Sequence, residues 1–198
     1  MTTSRLEAFS DGVLAIVITV MVLELKPPSA EEPTWHSLLD TSGLGLLTYV
    51  LSFVYIGIYW SNHHHLFQLV RHVDGSVLWA NLHLLFWLSL VPFTNGWLDE
   101  SKVAEVPTVV YGCNLLGAAI AYYVLQLTIF RTPSGERAHA ALGADLKGKL
   151  SPALYVGGIL LALWEPRLGL VPFVVVALIW LVPDRRVERY LAAERAAS

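Results

Sequence analysis

The sequence predicts an all-α membrane protein with six transmembrane helices in a single domain, residues 1–198. Hydrophobic residues make up 55% of the chain and charged residues only 15%, and the mean hydropathy is +0.56. This is more apolar surface than one soluble core of this size can bury. The apolar residues are also gathered into long stretches, and four of these reach the roughly 20 residues that a helix needs to cross a bilayer.

The predicted spans follow the apolar stretches in order. Four have membrane length, at residues 5–25, 44–67, 76–97 and 107–130, and two are shorter, at residues 151–164 and 168–183. The sequence Glu165-Pro166-Arg167 separates the shorter pair and predicts a tight helical hairpin. Pro92 predicts a kink or an end near the far end of the third span, because proline lacks a backbone donor. Four glycines on later spans predict close helix packing, namely Gly112, Gly117, Gly157 and Gly158.

The first apolar stretch has an alternative interpretation as a cleavable signal peptide, since it is N-terminal and its purely apolar part is short. Glu7 and Asp11 accompany Arg5 before the apolar run, and no clear small-residue cleavage site follows it. We therefore expect this helix to stay in the mature protein. The net charge of -3 argues against a nucleic-acid partner.

The distribution of lysine and arginine predicts the orientation in the membrane. Ten of these cations fall at the chain ends and in the even connections, and three fall in the other connections, where most loop carboxylates also lie. The ten are Arg5, Arg71, Arg131, Arg137, Lys147, Lys149, Arg185, Arg186, Arg189 and Arg195, and the three are Lys26, Lys102 and Arg167. By the positive-inside rule, we expect both termini in the cytoplasm.

The first span carries a Ser10-Asp11 pair inside an otherwise apolar helix. A carboxylate within the bilayer costs roughly 2.5–3.5 kcal/mol on insertion scales, so it normally faces protein or water and marks a functional site. At 100° per residue, Ile16, Thr19 and Leu23 share one stripe of the helix, whereas Asp11 points to another side. We expect one of these sides to pack within the same chain and the other to face something else.

Two further polar clusters lie at the depth of Ser10 and Asp11. The second span ends in Asn62-His63-His64-His65, and the third begins near Asn81 and His83. Gln126 on the fourth span belongs to the same layer under the predicted topology. Because unpaired polar groups are costly inside a membrane, we expect these side chains to form mutual hydrogen bonds.

Three consecutive histidines raise the possibility of a metal site. Neighbours on a helix point about 100° apart and cannot all bind one ion, and the HExxH spacing of zinc enzymes is absent. A site built from His64 or His65 with His83 and Asp11 stays open as an alternative, as do interfacial histidines with no special role. The hydrogen-bonded layer is the favoured interpretation, with no cofactor and no metal.

The motif Arg5, three residues, then Phe9-Ser10-Asp11, followed by small and aliphatic residues with Thr19, closely resembles the signature of the transmembrane protein 175 family of potassium channels. The chain carries one copy of the motif, so it is similar to the prokaryotic members, which assemble as homotetramers around a pore lined by the first helix. The resemblance implies permeant potassium ions, a cell-membrane location and no enzymatic activity.

The resemblance also implies roles for individual residues. The constriction falls at Ile16, with Val20 and Leu23 one and two turns further out, and Thr19 takes the hydroxyl position linked to selectivity. Rings of branched apolar side chains can gate by dewetting, and such a filter should select potassium over sodium only weakly. The motif residues Arg5, Phe9, Ser10 and Asp11 should pack against polar residues of the second and third helices, drawn from Asn62, His64, His65, Asn81 and His83.

Two other functional classes compete with a channel. A proton-coupled secondary transporter could use Asp11 and the histidines as a relay, although the sequence shows no inverted repeat and no interrupted helix at the midplane. A membrane enzyme with an intramembrane His/Asp metal site is the third class, and the missing ligand spacing argues against it.

Overall fold

A computed structural model of the chain describes residues 2–28, 33–70, 73–133, 135, 139–140, 146–181 and 190. Part of the sequence on which the predicted orientation rests lies outside the described residues. This part comprises Arg71, Arg137, Arg185, Arg186, Arg189 and Arg195, and residues 182 and 183 of the sixth predicted span lie outside as well.

The described residues form helices and no strands, which confirms the all-α prediction. The helices are α1 (Thr3–Leu23), α2 (Trp35–Gln68), α3 (Gly75–Ser89), α4 (Val91–Glu100), α5 (Glu105–Phe130), α6 (Leu146–Ala162) and α7 (Pro166–Leu181). Within this part of the chain, four helical stretches are long and apolar enough to cross a membrane: α1, α2, α3 together with α4, and α5.

Local capping explains where α2 and α3 begin. The Thr34 side chain accepts from the Ser37 N–H, and the Ser37 hydroxyl accepts from the Thr34 N–H, so α2 starts at Trp35 rather than at residue 44. Its 34 residues give a length of about 51 Å, well beyond the roughly 30 Å of bilayer hydrocarbon. Asp74 caps α3 by accepting from the Val77 N–H at 2.9 Å and from the Ser76 hydroxyl at 2.6 Å, and these bonds lower the pKa of Asp74.

The third span is broken in its interior. Helix α3 ends at Ser89, and α4 starts at Val91 with Pro92 in its first turn. The expected interruption is therefore present, but it lies at Leu90 and the helical path continues to Glu100, beyond the predicted end at residue 97. Pro92 has no N–H to continue the ladder of α3, and its fixed φ suits the start of a new helix.

The helices run alternately between two ends of the bundle, which we call the Thr3 end and the Leu23 end after the first and last residues of α1. Helix α1 packs against α2, α3 and α4, and α5 packs against α3, α4, α6 and α7. The α6–α7 hairpin packs against α5, on the side of the bundle away from α1. Helix α1 therefore lies at the edge of the bundle, with part of its surface uncovered in the single chain.

Glycines let α5, α6 and α7 close around one aromatic ring. A Cβ built on Gly112 would lie 2.5 Å from Cζ of Phe173 and 2.8 Å from Cγ1 of Ile159. Gly158 lies against the same ring, and a Cβ on Gly117 would meet the indole of Trp87, so these three positions confirm the predicted close packing. Gly157 does not, because a Cβ there would meet nothing within 4 Å.

We predict that Gly112→Ala destabilises the protein by about 1–3 kcal/mol, because the added methyl overpacks the fully buried Phe173 ring. Gly57→Ala is the matched control, since a Cβ on that helical glycine meets nothing within 4 Å. The measurement is thermal unfolding of both variants in the same detergent. Equal melting temperatures for the two variants would contradict the assigned packing.

Candidate pore helix and its polar contacts

Helix α1 presents one face to its own chain and leaves the rest uncovered. The buried face consists of Leu6, Ser10, Leu14, Val17 and Met21. The predicted pore stripe lies on the uncovered side: Ile16 is 63% exposed, Leu23 79% and Val20 37%, and Thr19 is exposed as well. A row of aliphatic side chains at helical spacing is thus only partly covered within the single chain.

Asp11 does not lie on the buried face either, which differs from the expectation that either the Asp11 side or the Ile16 stripe packs inside the chain. The side chain of Asp11 is exposed, and its Oδ1 accepts a hydrogen bond from Nε1 of Trp60 at 2.9 Å. The buried face lies between these two sides of the helix. Asp11 is therefore held at the seam between α1 and α2, next to the half-exposed indole of Trp60.

Ser10 has a separate environment from its neighbour. It is fully buried, donates to the Leu6 carbonyl at 2.9 Å and accepts from Nδ2 of Asn81 at 3.0 Å. The Oδ1 atom of Asn81 lies 2.7 Å from Nε2 of His63, which is also buried. These three side chains form one hydrogen-bonded chain through α1, α3 and α2.

The remaining predicted polar residues do not join this buried chain. Nδ1 of His64 lies 3.5 Å from Oε1 of Glu7, and its Nε2 lies 2.8 Å from Nε2 of Gln68. His83 is exposed and accepts from Nε1 of Trp87, one turn further along α3. His83 thus does not join the buried chain at Ser10.

The other predicted positions lie at the margins of this region. The backbone carbonyl of Asn62 accepts from the Tyr122 hydroxyl at 3.2 Å, and the Asn62 side chain lines a cavity together with Gln126. The ring of His65 lies 5.9 Å from that of His64. Arg5 and Phe9 of the motif are exposed in the single chain. Asn62, His65, Arg5 and Phe9 are therefore not part of the buried hydrogen-bonded chain.

A second buried polar group lies nearer the Leu23 end and was not predicted. The Ser52 hydroxyl donates to Oδ1 of Asn95 at 3.0 Å and lies 3.1 Å from the Tyr111 hydroxyl, and Asn114 donates to Thr94 at 3.3 Å. These bonds connect α2, α4 and α5. The sequence signal for this polar group was the presence of Asn95 and Asn114 inside apolar stretches, because amide side chains within a membrane span need hydrogen-bond partners.

The histidines do not gather around a common point. Among the described residues, no three His, Cys, Asp or Glu side chains are placed to hold one metal ion. His63 faces Asn81, His64 faces Glu7 and Gln68, and His83 faces Trp87, so their ring nitrogens point to different partners.

We predict that Asn81→Ala destabilises the protein by about 1–3 kcal/mol, because it leaves both Ser10 and His63 without their buried partner. Ser10→Ala also removes the bond to the Leu6 carbonyl, but it should cost less, since Asn81 stays paired with His63. Melting temperatures of the two single variants and the double variant test this: additive losses would contradict the coupling expected of neighbours in one chain.

We also predict that purified protein holds no stoichiometric transition metal, because the bonded ring nitrogens of His63, His64 and His83 face different protein partners. Elemental analysis after purification without chelators or metal-affinity resin is the measurement. One equivalent of zinc, copper or nickel per chain that disappears in His64→Ala would contradict this prediction.

Comparisons with known proteins agree with the motif. The family model described as the endosomal/lysosomal potassium channel TMEM175 matches residues 5–92. A protein of Chryseobacterium sp. named a potassium channel is 49% identical over 192 residues, covering 96% of this chain and 98% of its own length. The human endosomal/lysosomal proton channel TMEM175 is 29% identical over 97 residues, which are 46% of this chain and 19% of that protein.

The fold has a counterpart among solved structures as well. The crystal structure of a lysosomal potassium-selective channel TMEM175 homolog from Chamaesiphon minutus matches with a TM-score of 0.72 and 30% identity, over 90% of this chain and 95% of that one. The relative that matches nearly end to end is named a potassium channel, and this structure is that of a TMEM175 homolog. The chain belongs to the TMEM175 family of potassium channels.

Proposed function

We propose that four copies of this chain form a potassium-permeable channel whose pore is lined by α1. The observation that carries this proposal is the uncovered Ile16–Leu23 stripe on a helix whose other face is fixed by buried contacts. In a closed symmetric tetramer the stripe from each copy would face the axis, and the exposed aliphatic groups would form rings instead of facing lipid.

The chemistry of the stripe suits a weakly selective, dewetting constriction. Ile16 presents a branched apolar side chain, and Leu23 follows seven residues later, about 10 Å along the axis. The Thr19 hydroxyl donates to the Ile16 carbonyl at 2.9 Å, which leaves its oxygen lone pairs free for a cation. Four such oxygens can replace part of the hydration shell of potassium.

The predicted orientation belongs to this proposal. With both termini in the cytoplasm of a prokaryotic cell, the Thr3 end faces inside and the Leu23 end faces outside. The described cations Arg131, Lys147 and Lys149 lie at the Thr3 end, in agreement with this orientation. The proposed partners are other copies of the chain, potassium ions and lipid, without a cofactor.

A proton-coupled transporter is less well supported. Its relay would need Asp11 and a histidine in one hydrogen-bonded path, but Asp11 is bonded to Trp60 and His63 is bonded to Asn81. An amide between Ser10 and His63 holds its protons firmly, unlike a carboxyl or imidazole. Because animal relatives are named proton channels, the flux assay measures proton movement alongside potassium.

The proposal is tested with purified protein in liposomes carrying a potassium gradient. A channel gives potassium flux that follows the gradient alone and does not saturate at millimolar concentrations, with a smaller sodium flux. Potassium movement that requires an opposing proton gradient would support the transporter instead. Size and mass of the detergent-solubilised protein test the tetramer independently.

We predict that Ile16→Asn raises potassium flux several-fold and lowers the preference for potassium, because four amides would hold water in the constriction. Leu23→Asn should have a smaller effect, since it lies near the mouth. Reversal potentials and single-channel currents measure both quantities. Unchanged currents in Ile16→Asn, with the protein still tetrameric, would exclude Ile16 from the narrow point.

Thr19→Val should lower the potassium-to-sodium permeability ratio, because it removes the hydroxyl oxygen with little change in volume. Thr19→Ser is the matched control, since it keeps the hydroxyl and should retain most of the ratio. Reversal potentials under bi-ionic conditions measure the ratio. Equal ratios in the Val and Ser variants would assign selectivity to another position.

A further inference from the structure

A small cavity lies inside the chain, between α2 and the helices α5, α6 and α7. Its volume is about 40 Å³, and none of its lining residues belongs to α1. Gln126, one of the lining residues, precedes the end of α5 at Phe130 by four residues, so the cavity lies about 6 Å from the Thr3 end of that helix. A buried water needs about 10–15 Å³, which gives room for about three water molecules.

Three polar side chains line this cavity without a hydrogen-bond partner of their own. Gln126 of α5 is 5% exposed and Tyr59 of α2 is 7% exposed. Within the described part of the chain, neither the Gln126 amide nor the Tyr59 hydroxyl forms a hydrogen bond, and the same holds for the Asn62 side chain. The mutual hydrogen bonds that the sequence predicted for Gln126 are therefore absent from the described contacts.

The unpaired atoms of Gln126 and Tyr59 face the cavity. Among the described residues, the buried side-chain atoms that lack both a partner and any surface open to water are Oδ1 of Asp99 and Oδ1 of Asn114. The Gln126 amide and the Tyr59 hydroxyl are not among them, so a water molecule can touch both. Because both residues are more than nine-tenths buried and line the cavity, the cavity is the space from which water reaches them.

The cavity separates two helices that have little direct contact. Helix α2 is not among the helices packed closely against α5. Tyr122 of α5 spans the gap, because its hydroxyl donates to the Asn62 carbonyl at 3.2 Å and its ring lies edge-on to that of Tyr59, with 6.0 Å between the centroids. Gln126 lies one turn further along the same side of α5 and makes no such contact with α2.

The chemistry of the walls selects a neutral occupant that forms hydrogen bonds. No lining residue carries a charged side chain, so a desolvated ion would have no counterion. Lys147, whose Nζ lies 5.8 Å from the centroid of the Trp180 ring in one wall, would also repel a cation. An apolar group would leave Gln126, Tyr59 and Asn62 unpaired, and a ring as small as benzene occupies cavities of about 150 Å³.

We propose that this cavity is a hydration site in which about three waters connect Gln126 of α5 with Tyr59 and Asn62 of α2. A buried water typically forms about three hydrogen bonds to otherwise unpaired groups, so a few waters satisfy all three side chains. They also take the place of direct packing between the two helices. The site is separate from the proposed pore, and its occupancy does not depend on channel function.

Hydroxyl-radical footprinting of the purified protein by X-ray radiolysis tests for these waters, because side chains next to bound water are oxidised even where bulk solvent is excluded. Tyr59 should be oxidised several-fold faster than Tyr111, a matched control that is fully buried and paired with Ser52. Gln126→Leu keeps the size of the side chain and removes the amide. It should lower the oxidation of Tyr59 and leave that of the exposed Trp35 unchanged.

Melting temperature gives a second, independent measurement. If waters pair the amide, Gln126→Leu should lower the melting temperature by several degrees, because those waters and their other partners lose bonds. In a dry cavity the same change would raise it, since an unpaired amide is removed. Gln68→Leu, at an exposed glutamine outside the cavity, controls for the substitution itself.

Oxidation of Tyr59 no faster than that of Tyr111 would overturn the hydration site. A higher melting temperature in Gln126→Leu than in the unmodified protein would overturn it as well. The same holds for a structure that resolves ordered water elsewhere and shows an organic molecule, or no density, between Gln126 and Tyr59.

Discussion

The buried hydrogen-bonded chain from Ser10 through Asn81 to His63 determines how α1 is placed. Aliphatic contacts alone specify the rotation of a helix about its axis less sharply than hydrogen bonds do, because dispersion attraction has no preferred direction. A serine that must reach one amide on α3 does not allow this rotation. Turning α1 by one residue would bury Asp11 in place of Ser10 and leave Asn81 and His63 unsatisfied. The exposure of Ile16 and Thr19 follows from that constraint.

Much of this arrangement was readable from the sequence. The apolar stretches predicted the membrane-length helices, because hydrocarbon thickness and helical rise together set their length. The Ser10-Asp11 pair predicted a polar contact between helices, and Asn81 was among the expected partners. These predictions depended on local composition and on the cost of isolated polar groups, which act in the same way in any fold.

The partner assignments were not readable to the same extent. Trp60 as the donor to Asp11 depends on the relative rotation of α1 and α2, which no periodicity within one helix specifies. His64 and His83 were both expected in the shared layer. His64 does reach α1, but through Glu7 rather than through the motif residues, whereas His83 contacts only Trp87 one turn away, and such local bonds compete with long-range ones. The early start of α2 was missed because a capping box outweighed the polar composition of residues 35–43.

The helices around Phe173 are held together more tightly than α1 is held to its neighbours. Glycines bring α5, α6 and α7 into contact with it, and the Tyr55 hydroxyl donates to its backbone carbonyl, so α2 is tied to the same point. Between Leu14 and Met21, in contrast, α1 forms no hydrogen bond to another helix among the described residues. Dispersion contacts alone hold this part of α1 to its neighbours. Tension applied to the whole chain would therefore displace this part of α1 first, while the helices packed around Phe173 keep their positions.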